Sequence, residues 1–315
     1  MYIYDLKTNH QKELLGLDTD PWFSWKIGSE EENTVQTACR IVVKNGGETV
    51  WDTGMQESGE SVFIAYEGAP LRSRTRYTVE VTVRDNHENE ASTSSWFETA
   101  FLKKEDWKAK WIESPFKVKK RKKGFGNQPA ATMFRKTFSV PDEIVSARLY
   151  ATAHGIYEAS VNGQKADDRL FAPEYSTYDK ILFYQTYDVT DLLQKGNNAL
   201  TFTVADGWYF CVGTTMSKKT AAKPHALLYQ MEIRTAGGRN LIVCSDGSEK
   251  TAESPVRCSD LFAGEMYDAN REIEGWDRCG FDDSACLSAK VGKDGYDNLE
   301  LCSRVLRLPA FPCRL

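Results

Sequence analysis

The dipeptide Asn162-Gly163, lying between strand-like runs, constrains this chain more than any other feature. Asn and Gly enter positive-φ backbone at least cost, and a two-residue hairpin turn that matches strand twist needs two such positions in succession. Ile156, Glu158, Ser160 and Val161 lead into the turn. After it, residues 166–170 put two adjacent acids, Asp167 and Asp168, on a loop, and Pro173 then resists regular pairing. A β-rich run over residues 181–187 ends at Asp188-Val189-Thr190-Asp191-Leu192-Leu193, where a short helical turn capped by Asp188 or Thr190 is expected.

Short alternating runs and turn residues recur on both sides of this stretch. Upstream, residues 37–43 read as a strand, 44–47 as an Asn-Gly turn, 50–54 as the next strand and its exit, and YTVEVTVR at 77–84 alternates with period two. With a closing strand at Phe97-Glu98-Thr99, these predict a small sandwich over residues 21–103, preceded by an N-terminal extension at residues 1–20. Lys103-Lys104-Glu105-Asp106 is a charged hinge. Trp107 and Trp111 follow it and read as interface packing, one ring under each module, with stacking on a sugar as the alternative. Downstream, residues 134–140, 147–153 and 199–205 read as strands, and 227–234 with 240–244 as a hairpin around Gly237-Gly238. This spacing predicts a jelly-roll sandwich over residues 104–285, and the chain as a whole is expected to be all-β. There is no Gly-rich phosphate loop, βαβ rhythm or heptad.

A net charge of -5 on 315 residues sets up no field that would favour nucleic acid or an anionic membrane. Residues 117–123 hold six cations in seven positions, but without an aromatic platform they read as a solvated loop. The N-terminus has no basic start followed by an apolar core, and no run approaches the roughly 20 apolar residues that span a bilayer, so a cytoplasmic location is expected. The eight cysteines form no C-x-x-C pair and read as free thiols, with Cys39 and Cys244 expected to be buried in apolar runs.

The segments VNGQKADDRLFAPEYSTYDK, YQTYDVTDLL, ADGWY and GEMYDANREIEGWD, in this order, resemble the N-terminal non-catalytic region of bacterial α-L-rhamnosidases of the glycoside hydrolase family 78 type. FSW, WDTG, YEGAPLRSRTRYTVEV and FETAFL look like the fibronectin-III-like module that precedes the jelly roll there, so the resemblance covers about residues 21–285. It implies that hydrolysis of terminal α-L-rhamnosides belongs to an (α/α)6 barrel, whose acid and base would stand about 6.5–9.5 Å apart for inversion. No segment here resembles that barrel, so this chain is expected to be inactive alone. Residues 286–315 depart from the family pattern and are expected to be an atypical tail, the end of a truncated or shifted reading frame.

The resemblance also implies a site. Some family members bind rhamnose through Ca2+ in the jelly roll, and Asp167 and Asp168 match the acidic or amide pair that holds the ion, although the family's second residue is often Asn. Pro224 lies where a backbone carbonyl could complete the metal site, and Trp208 and Tyr209 could form a sugar platform, with core packing as the role of at least one of them. Glu265 and Asp268 could be taken for a catalytic pair, but within this motif they belong to the accessory region. Three readings follow. The first is a non-catalytic fragment that scaffolds the parent's catalytic and β-sandwich domains and binds L-rhamnose or rhamnose-containing glycans. The second is a hydrolase acting through jelly-roll carboxylates. The third is a structural module that docks on a separate catalytic chain through the fibronectin-like face and Trp107 or Trp111.

Overall fold

The structure, a computed structural model, describes residues 1–118, 128–210, 223–262, 264–293 and 296–304. The chain forms two compact units, Met1–Asp106 and Trp107–Leu315. Asp106 belongs to the first, because its carboxylate accepts the Ser73 hydroxyl at 2.6 Å and faces the Arg74 guanidinium at 3.4 Å. The boundary therefore falls after the charged hinge and not before it.

In the first unit, the period-two alternation of the strand Arg76–Asp85 buries Tyr77, Val79, Val81 and Val83 and turns Thr78, Glu80 and Thr82 away from the core. This strand lies between Gln36–Asn45 and Glu90–Thr99 in a sheet whose path ends in Leu14–Leu17 and Glu48–Asp52. A second sheet is formed by Tyr2–Thr8, Trp22–Gly28 and Ile64–Ala65. Phe23 of this sheet meets Phe97 of the other at 6.1 Å, and Tyr77 stacks on Phe97 at 5.3 Å. Each such fully buried side chain contributes roughly 1.5–3 kcal/mol.

Residues 1–20 are no extension. Tyr2–Thr8 pairs with Trp22–Gly28, and Leu14–Leu17 runs parallel to Glu90–Thr99. Leu6, Leu14 and Leu17 are buried, so both edges of the sandwich depend on this segment.

The second unit is a jelly-roll sandwich. One sheet follows the order Lys290–Val291, Ile112–Glu113, Ala226–Thr235, Ile144–His154, Ile181–Asp188, Glu300–Ser303, with Asn240–Cys244 hairpinned onto Ala226–Thr235. The other follows Gln164–Lys165, Ile156–Val161, Gly196–Ala205, Thr132–Val140, Lys250–Glu253, Leu287–Ser288. Alternate residues of the facing strands interdigitate: Leu149, Ala151, Tyr229 and Met231 from the first sheet, Phe134, Tyr157, Phe202 and Val204 from the second. The hairpin forms as expected, with Asn162 at φ 51°, Gly163 at φ 80° and Val161 paired with Gln164. Asp188 Oδ1 accepts the Thr190 N–H at 3.1 Å where a short 3-10 turn, Thr190–Leu192, begins.

The first sheet is buried on its other face as well. Tyr178, Leu182, Tyr209, Phe210 and Leu299 form a second cluster there, joined by Trp111, Trp208 and Tyr296. Trp111 stacks on Tyr296 at 4.7 Å and Trp107 meets Tyr184 edge-on at 5.3 Å, so each ring has an aromatic partner in the second unit. Residues 287–293 and 296–304 are not a detached tail. Leu287–Ser288, Lys290–Val291 and Glu300–Ser303 each join a sheet, and Arg304 Nε donates to Glu174 at 3.0 Å.

Cys39 is buried as expected, whereas Cys244 is only partly so. The expectation for most of the basic run falls on residues 119–123, outside the described residues. No helix among the described residues is long and apolar enough to cross a membrane.

Candidate functional site

The hairpin delivers the acid pair to one end of the sandwich. Asp167 is turned toward its own loop: Oδ1 accepts the Arg169 N–H at 2.8 Å, and Oδ2 lies 3.7 Å from the Arg169 guanidinium. The Arg169 side chain, only 5% exposed, lies over the Tyr187 ring at 5.3 Å. Tyr187 and Tyr157 share a hydrogen bond of 2.9 Å, and two further acceptors for the Tyr157 hydroxyl, Ala151 O and Gln185 Oε1, lie 2.8 Å from it. Burial is the main cause that pushes both phenols above their usual range. Nε and Nη1 of Arg169 are buried without a hydrogen-bond partner in the protein. A cavity of about 20 Å³ lined by Tyr157, Ala159, Asp167, Asp168 and Arg169 has room for about one water. Asp168 itself is exposed.

The chain then presents apolar surface. Leu170, Phe171 and Tyr175 are exposed, with Phe171 held at φ 58° and Glu174 at φ 77°, a left-handed conformation that is uncommon for such side chains. Trp208, half-buried, meets Phe171 at 5.7 Å and Tyr175 at 6.4 Å, both edge-on. The loop with the acid pair and the tryptophan of ADGWY thus meet through exposed aromatic rings. Arg169, Phe171 and Tyr175 were missed as site residues, and the only signal was the aromatic spacing just after the acids.

Tyr209 is not part of this surface. It is 3% exposed and stacks on His154 at 4.3 Å, because adjacent residues of the turn point to opposite sides, Trp208 outward and Tyr209 into the second cluster. The His154 ring, also against Trp111 at 4.9 Å, is pushed down to about 3 by burial first and the Lys223 charge second. Pro224 is half-buried and precedes His225, whose Nε2 is 2.7 Å from Asp206 Oδ1, while Nδ1 is 3.1 Å from Thr132 Oγ1. The Asp206–His225 contact joins the described residues on either side of residues 211–222, and Pro224 adjoins it in sequence.

Glu265 and Asp268 are not arranged as an acid and base pair. Glu265 is exposed on the strand Gly264–Tyr267, and Asp268 caps the 3-10 turn Ala269–Arg271. The Asp268 carboxyl is held below the usual carboxylate range, first by its hydrogen bond from the Asn270 side chain, so it stays ionised and cannot serve as a general acid near neutrality. Among the described residues no three His, Cys, Asp or Glu side chains gather as a metal site.

Two β-sandwiches in series, with 3-10 turns as the only helical elements among the described residues, define a tandem β-sandwich protein. Residues 3–103 match the Rha78A-like, N-terminal immunoglobulin domain, and residues 142–304 match the alpha-L-rhamnosidase N-terminal domain. The chain belongs to the α-L-rhamnosidase N-terminal domain family. It is 34% identical over 279 residues to an α-L-rhamnosidase of Formosa agariphila, covering 84% of this chain and 30% of that protein. The solved α-L-rhamnosidase from Dictyoglumus thermophilum superposes with a TM-score of 0.86 at 31% identity, covering 96% of this chain and 35% of that one. The native enzyme from Aspergillus terreus gives 0.83 at 31% identity, covering 95% and 35%. The chain thus spans about a third of the length of these relatives. The match to residue 304 also carries the domain well past residue 285.

Proposed function

We propose that this chain is the N-terminal, non-catalytic part of an α-L-rhamnosidase-type glycoside hydrolase, which supports the parent's catalytic domain and binds terminal L-rhamnose in a Ca2+-dependent way. The observation that carries this reading is the meeting of the acid-pair loop and Trp208 through exposed Phe171 and Tyr175. Aromatic faces pack on the C–H faces of sugars, and carboxylates accept their hydroxyls.

The donor set fits a hard cation in kind. Asp167 and Asp168 supply adjacent carboxylates, and Ca2+ takes carboxylate and backbone oxygens of this sort. Asp167, Asp168 and the Pro224 carbonyl would hold the ion, which would orient two sugar hydroxyls. Because Arg169 already engages Asp167, the ion has to compete with a guanidinium, so weak binding follows.

Calorimetric titration of L-rhamnose with Ca2+ and with EDTA tests the reading. Heat that disappears on chelation, in Asp167→Ala and in Trp208→Ala is expected, together with no release of rhamnose from an aryl rhamnoside. Silence from the folded protein in Ca2+, or turnover lost in Glu265→Gln, would overturn it.

A further inference from the structure

The outer face of the second sheet carries another concave site. The alternation that sends Phe134, Ala159, Leu200 and Phe202 into the core turns Met133, Ser160, Thr201 and Thr203 the other way. Strand register then sets Met133 opposite Thr203 and Ser160 opposite Thr201, giving three hydroxyls and a thioether on one floor. Residues 272–277 form the facing wall of an open groove of about 600 Å³, within the roughly 300–1,000 Å³ common for small-molecule sites.

That wall is fixed. Arg135, fully buried, donates Nη1–H to the Trp276 carbonyl at 2.7 Å and Nε–H to Asp283 at 3.0 Å, tying the loop to the sheet from below. A site preorganised in this way need not order its own loop on binding.

The chemistry of the lining selects a ligand class. Glu272 accepts the Tyr267 hydroxyl at 2.6 Å, and Asp277 lies 3.6 Å from Arg278, so both are already engaged, while Glu274 is exposed. No lining residue is cationic, which disfavours phosphates and uronates. Trp276 lines the site at 7% exposure, and its indole N–H is buried without an acceptor in the protein. A ligand that both donates to carboxylates and accepts from the Ser160, Thr201 and Thr203 hydroxyls, while resting an apolar face on Met133 and Ile273, is a neutral polyol ring.

We propose that this groove binds a neutral saccharide of one or two rings, without a metal and independently of the Asp167 loop. It shares only the strand Ile156–Val161 with the cavity beside Asp167, with Ser160 on the opposite face of that strand's alternation from Tyr157 and Ala159, and goes beyond the function proposed above.

The experiment is a titration of the 15N-labelled chain with L-rhamnose and, separately, cellobiose, followed at the Trp276 Nε1–H resonance. EDTA is present throughout, so that Ca2+-dependent binding at the Asp167 loop stays silent. A saturable shift is expected, retained in Asp167→Ala and weakened roughly tenfold in Glu274→Ala and in Thr203→Val, two substitutions that leave the core untouched. No shift with either sugar overturns the proposal, as does a shift that both variants leave unchanged. A response to spermidine with none to the sugars overturns it too, in favour of a cationic ligand.

Discussion

Acidification should destabilise the second unit through one side chain, His154, and replacing it by Phe should remove that component. The ring is 4% exposed, stacked on Tyr209 and packed against Trp111 and Tyr296, and its Nε2 has no hydrogen-bond partner. Burial, helped by the Lys223 charge, lowers its pKa from 6.5 to about 3. Above 6.5 the ring is neutral in both folded and unfolded chains and adds no pH dependence. Below that value the unfolded chain binds a proton that the native state refuses. Stability then falls by about 1.4 kcal/mol per pH unit until the native ring itself protonates. Between about pH 7 and about pH 5 the loss from this one group is about 2 kcal/mol. Phe keeps the aromatic packing and cannot titrate. Urea unfolding of both proteins at the two pH values measures the difference, in which the carboxylates common to both cancel. An NMR titration of the ring supplies the second readout. Equal acid losses in the wild type and His154→Phe, or a ring that titrates near its ordinary value, would refute the reasoning.

Asp283→Ala leaves the buried Arg135 guanidinium without its carboxylate and should cost about 3 kcal/mol, near the low end for a broken buried pair because Asp283 is 25% exposed; chemical denaturation reads it. Gly155→Ala should be destabilising by roughly 2 kcal/mol or more, since Gly155 sits at φ 132° and a Cβ there would run into the Ala205 carbonyl oxygen; a thermal midpoint unchanged from wild type would contradict this. Phe97→Ala, with its ring against both Phe23 and Tyr77, should cost about 3–5 kcal/mol, confined to the unfolding transition of the first unit.

What could be read from the sequence was whatever rests on local periodicity. YTVEVTVR alternates because one face of its strand lies on a core, and Asn162-Gly163 signals its turn because both residues must adopt positive φ. The first strand escaped notice because its register shifts between Tyr4 and Lys7, with Asp5 at φ 57°, which breaks the period-two pattern. The last strands escaped for another reason. Leu287–Ser288 and Lys290–Val291 are two residues long and carry no period, and Glu300–Ser303 finds its parallel partner at Ile181–Asp188, more than a hundred residues away.

The sites divide along the same line. Asp167 and Asp168 stand out as neighbours in sequence, but the burial of Arg169 beside them runs against the rule that charged side chains stay in water. Trp208 and Tyr209 are adjacent too, and only the turn decides that one faces Phe171 and the other His154. Arg135 makes the point most fully. It follows Phe134 and, by alternation, points away from the core, which in an isolated sandwich would mean solvent. Its guanidinium is instead buried, because residues some 140 positions later close over that face and supply Asp283 and the Trp276 carbonyl. An outward position on a strand is therefore a polar surface only until another segment covers it. Where that cover is held by buried hydrogen bonds and still leaves a cavity, as over Met133 and Thr203, the same position becomes the floor of a site.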